Sequence, residues 1–300
     1  MSAAGPRDAN PGPCALRHIT LENTALVSSR IGLGTHALHR VISSRQRQNL
    51  LSGAHELGVR YFDTAPSYGA GLAEAELGRF LVPRRSEVVL TTKFGLPVSR
   101  LAAAVPGWNQ AAMVLRAARK LALGRRTASR PLLRDYSPQQ ALASVERSLR
   151  ALRTDHIDIL YLHEPVPAAL SVSEPLVRAL DSLKASGKVR YVGLSGQESE
   201  CALLRNFYPA LGEVLQVQVP AASDGWPITQ GMLHSAAVHF WEFASRSPEG
   251  VTQVAERLCK AAPEGVLLVS SVSVAQLQQT SVAVEKFDAR AAKSATSAHA

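Results

Sequence analysis

Along this chain, short apolar runs end abruptly in a polar residue. Val59-Arg60-Tyr61-Phe62 stops at Asp63, Val88-Val89-Leu90-Thr91-Thr92 stops at Lys93, and Ile157-Asp158-Ile159-Leu160-Tyr161-Leu162 stops at His163. Runs of this kind read as parallel strands buried on both faces. Longer segments with helical signals separate them. The pattern predicts a strand over 30–34, a helix from Ser44 to Leu57 closed by Gly58, a strand over 59–63 and a helix over 72–82 ahead of Pro83. A strand over 88–93 follows. Ser137 then caps a helix that has Pro138 at its first position and runs to Arg153. Next come a strand over 157–163, a helix over 173–186, a strand over 190–194, a helix over 198–207 and a strand over 214–219. The pattern then weakens to a strand over 228–233, helical stretches over 235–244 and 253–262, a strand over 265–269 and a last helix over 275–287.

Strands alternating with helices imply a parallel α/β fold, and the number of units points to a (β/α)8 TIM barrel. Residues 220–227 are too few and too broken by proline for a barrel helix, so trimming is expected around strands six and seven. The expected organisation is a flexible arm over 1–15, one barrel over 16–287 with an insertion at about 95–134, and a fraying tail over 288–300. An apolar content of 46% in 300 residues can fill such a core. There is no uncharged apolar run of about 18 residues to cross a membrane. The first residues lack the apolar stretch of a secretion signal. Cys14, Cys201 and Cys259 are scattered and odd in number, which suits a reducing, cytoplasmic setting and suggests neither disulfides nor zinc.

The net charge of +9 is uneven, because 88–134 holds no acid and carries Arg116, Arg119, Lys120, Arg125, Arg126, Arg130 and Arg134. A basic face of this kind can attract an anion, but Trp108 is the one aromatic among its arginines, so nucleic-acid binding by stacking is not expected. The insertion leaves the C-terminal end of a strand, where barrels keep functional loops, so it is expected to cover the mouth with Trp108, Met113 and Leu115.

Candidate chemistry gathers at the same strand ends. Asp63, Lys93 and His163 sit there, and Tyr68 follows in the adjoining loop. An acid, an amine, an imidazole and a phenol so placed form one proton-handling set. A free phenol has a pKa of about 10, and a nearby ammonium lowers it, which makes Lys93 the natural partner of Tyr68. Gly32-Leu33-Gly34-Thr35-His36-Ala37 also matches G-x-G-x-x-A, with Glu56 further on. The helix that follows starts too late to open from those glycines, so the tight-turn reading is preferred to a dinucleotide fingerprint.

Ile31-Gly32-Leu33-Gly34-Thr35, Asp63 to Tyr68-Gly69, Glu76-Leu77-Gly78, Thr92-Lys93, Asp155 to His163 and Gly187 to Ser195 together resemble the aldo-keto reductase family in order and spacing. The resemblance implies that Tyr68 is the general acid or base, that Asp63 orients Lys93, and that His163 binds the substrate oxygen or helps relay the proton. It further implies NADP as cofactor, with NAD possible. Ser195 and Gln216 or Gln218 are then candidates for the carboxamide, and Ser271, Ser273, Gln276 and Thr280 for the phosphate end. Three departures stand out: Gly196 replaces an Asn, no stacking Tyr is evident, and Gln276 and Thr280 occupy the places of an Arg and an Asn. Tyr68-Gly69-Ala70-Gly71-Leu72-Ala73-Glu74 and Asp135-Tyr136-Ser137 look most like the aldose and pyridoxal dehydrogenase branch. A small carbonyl or sugar-like substrate is implied, with no membrane or nucleic-acid partner. The departures also leave room for a rival, a non-catalytic nicotinamide-binding barrel that binds a protein partner.

Overall fold

A computed structural model describes residues 16–98, 134–166, 174–219, 236–240, 259 and 265–297. The arm over 1–15 and most of the insertion, including Trp108, Met113 and Leu115, lie outside these residues, as does the strand expected over 228–233.

Eight parallel strands close into a barrel: β3 (Ile31–Gly34), β4 (Tyr61–Asp63), β5 (Val89–Phe94), β6 (Ile157–His163), β7 (Val189–Gly196), β8 (Val214–Val219), β9 (Ala236–Phe240) and β10 (Leu267–Ser270). Closure comes from β10 pairing with β3, with Leu267 opposite Ile31 and Ser270 opposite Gly34. Between these strands lie α1 (Ser44–Glu56), α2 (Leu72–Leu81), α3 (Pro138–Leu152), α4 (Glu174–Ala185) and α5 (Glu198–Phe207), and α6 (Val274–Ser297) follows β10. The hydroxyl of Ser137 accepts from the Gln140 amide and starts α3, as its sequence predicts, whereas α1 is capped by Ser43 and not Ser44.

Strand phase sorts the core. Successive strand residues face opposite sides. Phe62, Leu90, Leu160, Leu162, Val192, Leu194, Leu215, Leu267 and Val269 belong to the larger cluster between strands and helices. Tyr61, Val89, Ile159, Tyr161, Val214 and Leu268 form a separate cluster inside the barrel. That inner cluster includes Ile19, Leu21 and Leu26 from an antiparallel hairpin, β1 (His18–Thr20) and β2 (Val27–Ser29), which plugs the N-terminal end. The hairpin is too short and too weakly patterned to be read from the sequence. Within the plugged half, the Tyr61 and Tyr161 hydroxyls bond each other at 2.9 Å, so neither phenol is left unpaired in the core.

Two expectations need correction. The seventh barrel strand is Ala236–Phe240, where a helix was expected, and it pairs with β8 from Leu215–Ala236 to Val219–Phe240. A five-residue run with four apolar positions and His239 carries no periodicity that separates strand from helix. The sixth and seventh barrel strands, β8 and β9, are separated only by residues 220–235, in line with the trimming expected there. Finally, α6 does not stop at Phe287 but runs to Ser297, because Ala289 to Ser297 is rich in strong helix formers.

Gly78 marks a close approach between α2 and α3: a Cβ there would lie 2.8 Å from Leu152 Cα and closer still to the Ala151 carbonyl. Both obstacles are backbone and cannot turn aside. Gly78→Ala is therefore expected to destabilise the fold by about 1–3 kcal/mol. Urea unfolding checks this, and an unchanged midpoint would show that the two helices part freely.

Candidate active site

The inward phase that is apolar at the plugged end becomes polar at the other. Tyr61 is followed two residues on by Asp63, Val89 by Thr91 and Lys93, and Ile159 by Tyr161 and His163. On β7 and β8 the corresponding polar residues are Ser195 and Gln216, and His163, Ser195 and Gln216 stand in register on neighbouring strands. The C-terminal mouth thus receives one set of side chains from five strands.

At its centre is an ion pair. Lys93 Nζ lies 2.5 Å from both oxygens of Asp63 and 3.1 Å from the Thr64 carbonyl, and both side chains are wholly buried. Asp63 Oδ1 also accepts from Thr91 Oγ1 at 2.8 Å and from Gln216 Nε2 at 2.9 Å. The Gln216 bond crosses the barrel, since β4 and β8 stand on opposite sides of it. Gln216 Oε1 in turn accepts from Ser195 Oγ at 2.5 Å. Tyr68 lies over this network, with Lys93 Nζ 4.9 Å from its ring centroid. The His163 ring meets the Tyr68 ring nearly at right angles, at 5.7 Å. Asp63, Tyr68, Lys93 and His163 thus share one site.

The electrostatics differ from the expected ones. Burial pushes the Tyr68 phenol well above its ordinary value, and the Asp63 and Glu164 carboxylates add to the rise. Lys93 does not depress it, because its charge is neutralised by Asp63 at hydrogen-bond distance. Burial also lowers the Lys93 ammonium below the usual lysine value, against the opposing pull of Asp63. The resting phenol is therefore a protonated donor.

His36 was noted only as part of a glycine motif. Its ring stands 5.0 Å from that of Tyr68, again nearly perpendicular. Burial lowers its pKa, so it is neutral at physiological pH. Glu74 was also missed as a carboxylate. It is buried beneath the site, accepts from Thr92 Oγ1 at 2.8 Å, and has a raised pKa from burial. Counting the strand phase outward from Asp63 and Lys93 would have separated Thr91, which joins the network, from Thr92, which turns outward to Glu74.

The cofactor candidates divide. Ser195 and Gln216 lie beside the ion pair and keep spare hydrogen-bonding capacity, since a hydroxyl and a primary amide each make more bonds than are used here. This donor set fits a carboxamide. The Gln218 side chain lies outside the described residues, although its backbone is in β8. At Gly196, a Cβ would stand 3.2 Å from Pro165 Cδ and 3.3 Å from Glu164 Cα, so a larger residue there needs the loop after β6 to give slightly. Ser271, Ser273 and Gln276 gather at the start of α6. Ser271 Oγ bonds the Ser273 carbonyl and Gln276 Oε1, each at 2.9 Å, while Ser273 and Gln276 reach solvent. Thr280 does not fit its expected place: it is 1% exposed and its hydroxyl bonds the Gln276 carbonyl of its own helix. A short polar side chain on an inward-facing helical position turns to its own backbone.

A family model described as "Aldo/keto reductase family" matches residues 30–204, more than half of the chain. The protein belongs to the aldo/keto reductase family, whose members are nicotinamide-dependent oxidoreductases. Among curated relatives, the chain is 32% identical over 202 residues to a D-threo-aldose 1-dehydrogenase from Pseudomonas sp., covering 63% of this chain and 57% of that protein. It is 29% identical over 194 residues to an NADH-specific methylglyoxal reductase from Escherichia coli K12, covering 62% and 53%. The chain therefore spans little more than half the length of these relatives. A solved aldo-keto reductase from Bacillus halodurans, in its holo form, superposes with a TM-score of 0.67 over 90% of this chain and 91% of that one, at 20% identity, which establishes the shared fold.

Removing one partner of a buried ion pair strands the other charge, at a cost of about 3–5 kcal/mol. Asp63→Asn is expected to lose that much stability, and Asp63→Asn with Lys93→Met to regain most of it. Denaturant unfolding of the single and double variants checks this. An equal loss in both would mean that Asp63 acts through Thr91 and Gln216 and not through Lys93.

Proposed function

We propose that this protein is an NAD(P)-dependent oxidoreductase that interconverts a small aldehyde, ketone or sugar-like carbonyl and the corresponding alcohol, with Tyr68 as the general acid or base. The observation that carries this reading is the Tyr68 phenol held over a buried Lys93–Asp63 pair beside His163. A bound nicotinamide supplies or accepts the hydride. Tyr68 donates its phenolic proton to the carbonyl oxygen, and its raised pKa keeps that proton in place until a substrate needs it. His163 orients the same oxygen by hydrogen bonding. Lys93, fixed by Asp63, lies against the Tyr68 ring as one half of a pair that is neutral as a whole. Ser195 and Gln216 hold the carboxamide, and Ser273 and Gln276 meet the far end of the nucleotide. Similarity to an aldose dehydrogenase and a methylglyoxal reductase supports a hydroxylated or α-oxo carbonyl as substrate. The non-catalytic alternative is not favoured, because pure binding has no use for an ammonium buried against a phenol.

Tyr68→Phe is expected to lower turnover by about 10²–10⁴-fold while the reduced nucleotide binds within a few-fold of wild type. The check is steady-state kinetics on a carbonyl and sugar panel together with a fluorescence titration. A variant that keeps more than half the rate on the best substrate would falsify the assignment of Tyr68.

NADP is proposed as the cofactor, with only weak discrimination against NAD. Gln276 stands where the resembling family places a phosphate-gripping Arg, and it cannot supply a bidentate charged contact. The loss amounts to roughly 1.5–3 kcal/mol. The NADH-specific relative shows that NADH use occurs among similar chains. Titration of both reduced nucleotides at one ionic strength is expected to give affinities within about a hundredfold. A larger preference for NADPH would require another cation at the 2′-phosphate.

A further inference from the structure

Residues 134–137 reach α3 by a path that crosses the mouth between the ends of β5 and β6, and each of the four is bonded on the way. The Asp135 amide donates to the Gly95 carbonyl at 2.8 Å, just beyond β5, which carries Lys93. Tyr136 turns its hydroxyl inward and donates to the His163 carbonyl at 2.7 Å, with the Glu164 carbonyl also 3.0 Å away. Arg134 Nε donates to the same Glu164 carbonyl at 2.9 Å, and its NH2 lies 3.2 Å from the Glu164 carboxylate. Ser137 caps α3 and donates its amide to Asp135 Oδ1.

Their target is unusual. Glu164, next to His163, has φ +49°, a left-handed conformation that side chains other than glycine rarely adopt. Such a residue persists when its surroundings over-determine it, and strain of this kind clusters at functional sites. Both ends of Glu164 are held: its amide donates to the Ser195 carbonyl at 2.6 Å, and its carbonyl receives Arg134 and Tyr136. The Tyr136 ring is fixed as well. It packs against Phe94 and closes over Gly95, whose φ of +111° needs glycine and where a Cβ would run into that ring. Tyr136 is 8% exposed, and burial pushes its phenol up, so the hydroxyl remains a donor across the physiological range.

We infer that Arg134 and Tyr136 are positioning residues that strap the end of β6 to the end of β5, and so hold the His163 imidazole at its working angle to Tyr68. The inference rests on the proposed reading of His163 as the residue that orients the substrate oxygen. Neither residue touches the reacting atoms. Their bonds fix the main chain on which His163 is carried, and a displacement of about 1 Å at such a group is enough to cost around a hundredfold in rate.

The test uses the full chain with Tyr136→Phe, which keeps the ring against Gly95 and removes only the hydroxyl, and Arg134→Gln, which leaves the core intact. The imidazole Cε1–H resonance of His163, assigned by its loss in His163→Gln, is followed by NMR in each. Turnover and the dissociation constant of the reduced nucleotide are measured alongside. In Tyr136→Phe the His163 resonance is expected to shift or broaden while those of His55 and His156 stay in place. Its kcat falls about tenfold to a hundredfold, with nucleotide affinity unchanged. Arg134→Gln gives a smaller change in the same direction. A lower melting temperature with an unmoved His163 resonance and unchanged kcat would reduce the strap to a structural brace and overturn the inference. If Tyr136→Phe does not fold, an unmoved resonance in Arg134→Gln overturns it equally. If the wild type turns over no carbonyl or alcohol, the proposed function fails, and the His163 resonance still decides the positioning role.

Discussion

The active end of this barrel is organised around a bond between two charges that water does not reach. Lys93 and Asp63 come from neighbouring strands and meet with no exposure on either side chain. A pair of this kind adds little net stability, because desolvating both ions offsets most of their attraction. It does impose strict demands on its surroundings. Asp63 must have further donors, which Thr91 and Gln216 supply at Oδ1, and the Gln216 bond draws the opposite wall of the barrel into the same network. Ser195 then completes Gln216. Tyr68, with its raised pKa, lies over a foundation that is charged in its parts and neutral as a whole.

Much of this was legible because barrel strands write their function at one end. The runs ending in Asp63, Lys93 and His163 could be read directly, and the helices with clear caps and stops, α1 and α3, fell within a residue of where the sequence puts them. What escaped was information held outside any single element. The hairpin plug consists of three-residue strands whose apolar residues matter only because the barrel end must be filled. His36 follows a glycine motif that draws attention to the backbone, yet its ring acquires meaning only from Tyr68 across the mouth. The sense of the Tyr68 shift was misjudged for a related reason. Adjacency to an ammonium can be inferred from sequence, but the neutralising carboxylate and the depth of burial are three-dimensional facts. The strand at Ala236–Phe240 escapes the pattern because so short and mostly apolar a run looks alike in either form.

The family's sequence pieces also find physical reasons here. Glu76 is buried and receives Arg47 at 2.8 Å, Arg79 at 3.0 Å and Gln48 at 2.8 Å, which pins α1 to α2. Gly78, two residues on, lets α2 press against the backbone at the end of α3. Both helices are thereby set at a fixed height behind β4 and β5, whose ends supply Asp63 and Lys93. Gly196, where the resembling family has Asn, faces a loop that comes close to it, since Pro165 and Glu164 close over it.

Barrel closure has a consequence for how the chain is made. β3 lies near the beginning of the chain and β10 near its end, and each completes the other's hydrogen bonding. As the chain leaves the ribosome, β4 can cover one side of β3 at once, while the other side waits until β10 has been synthesised. For that interval the growing sheet carries a bare strand edge, the feature most prone to join with the wrong partner. The strand that arrives last therefore changes the topology of everything before it, from an open sheet with two edges to a ring with none.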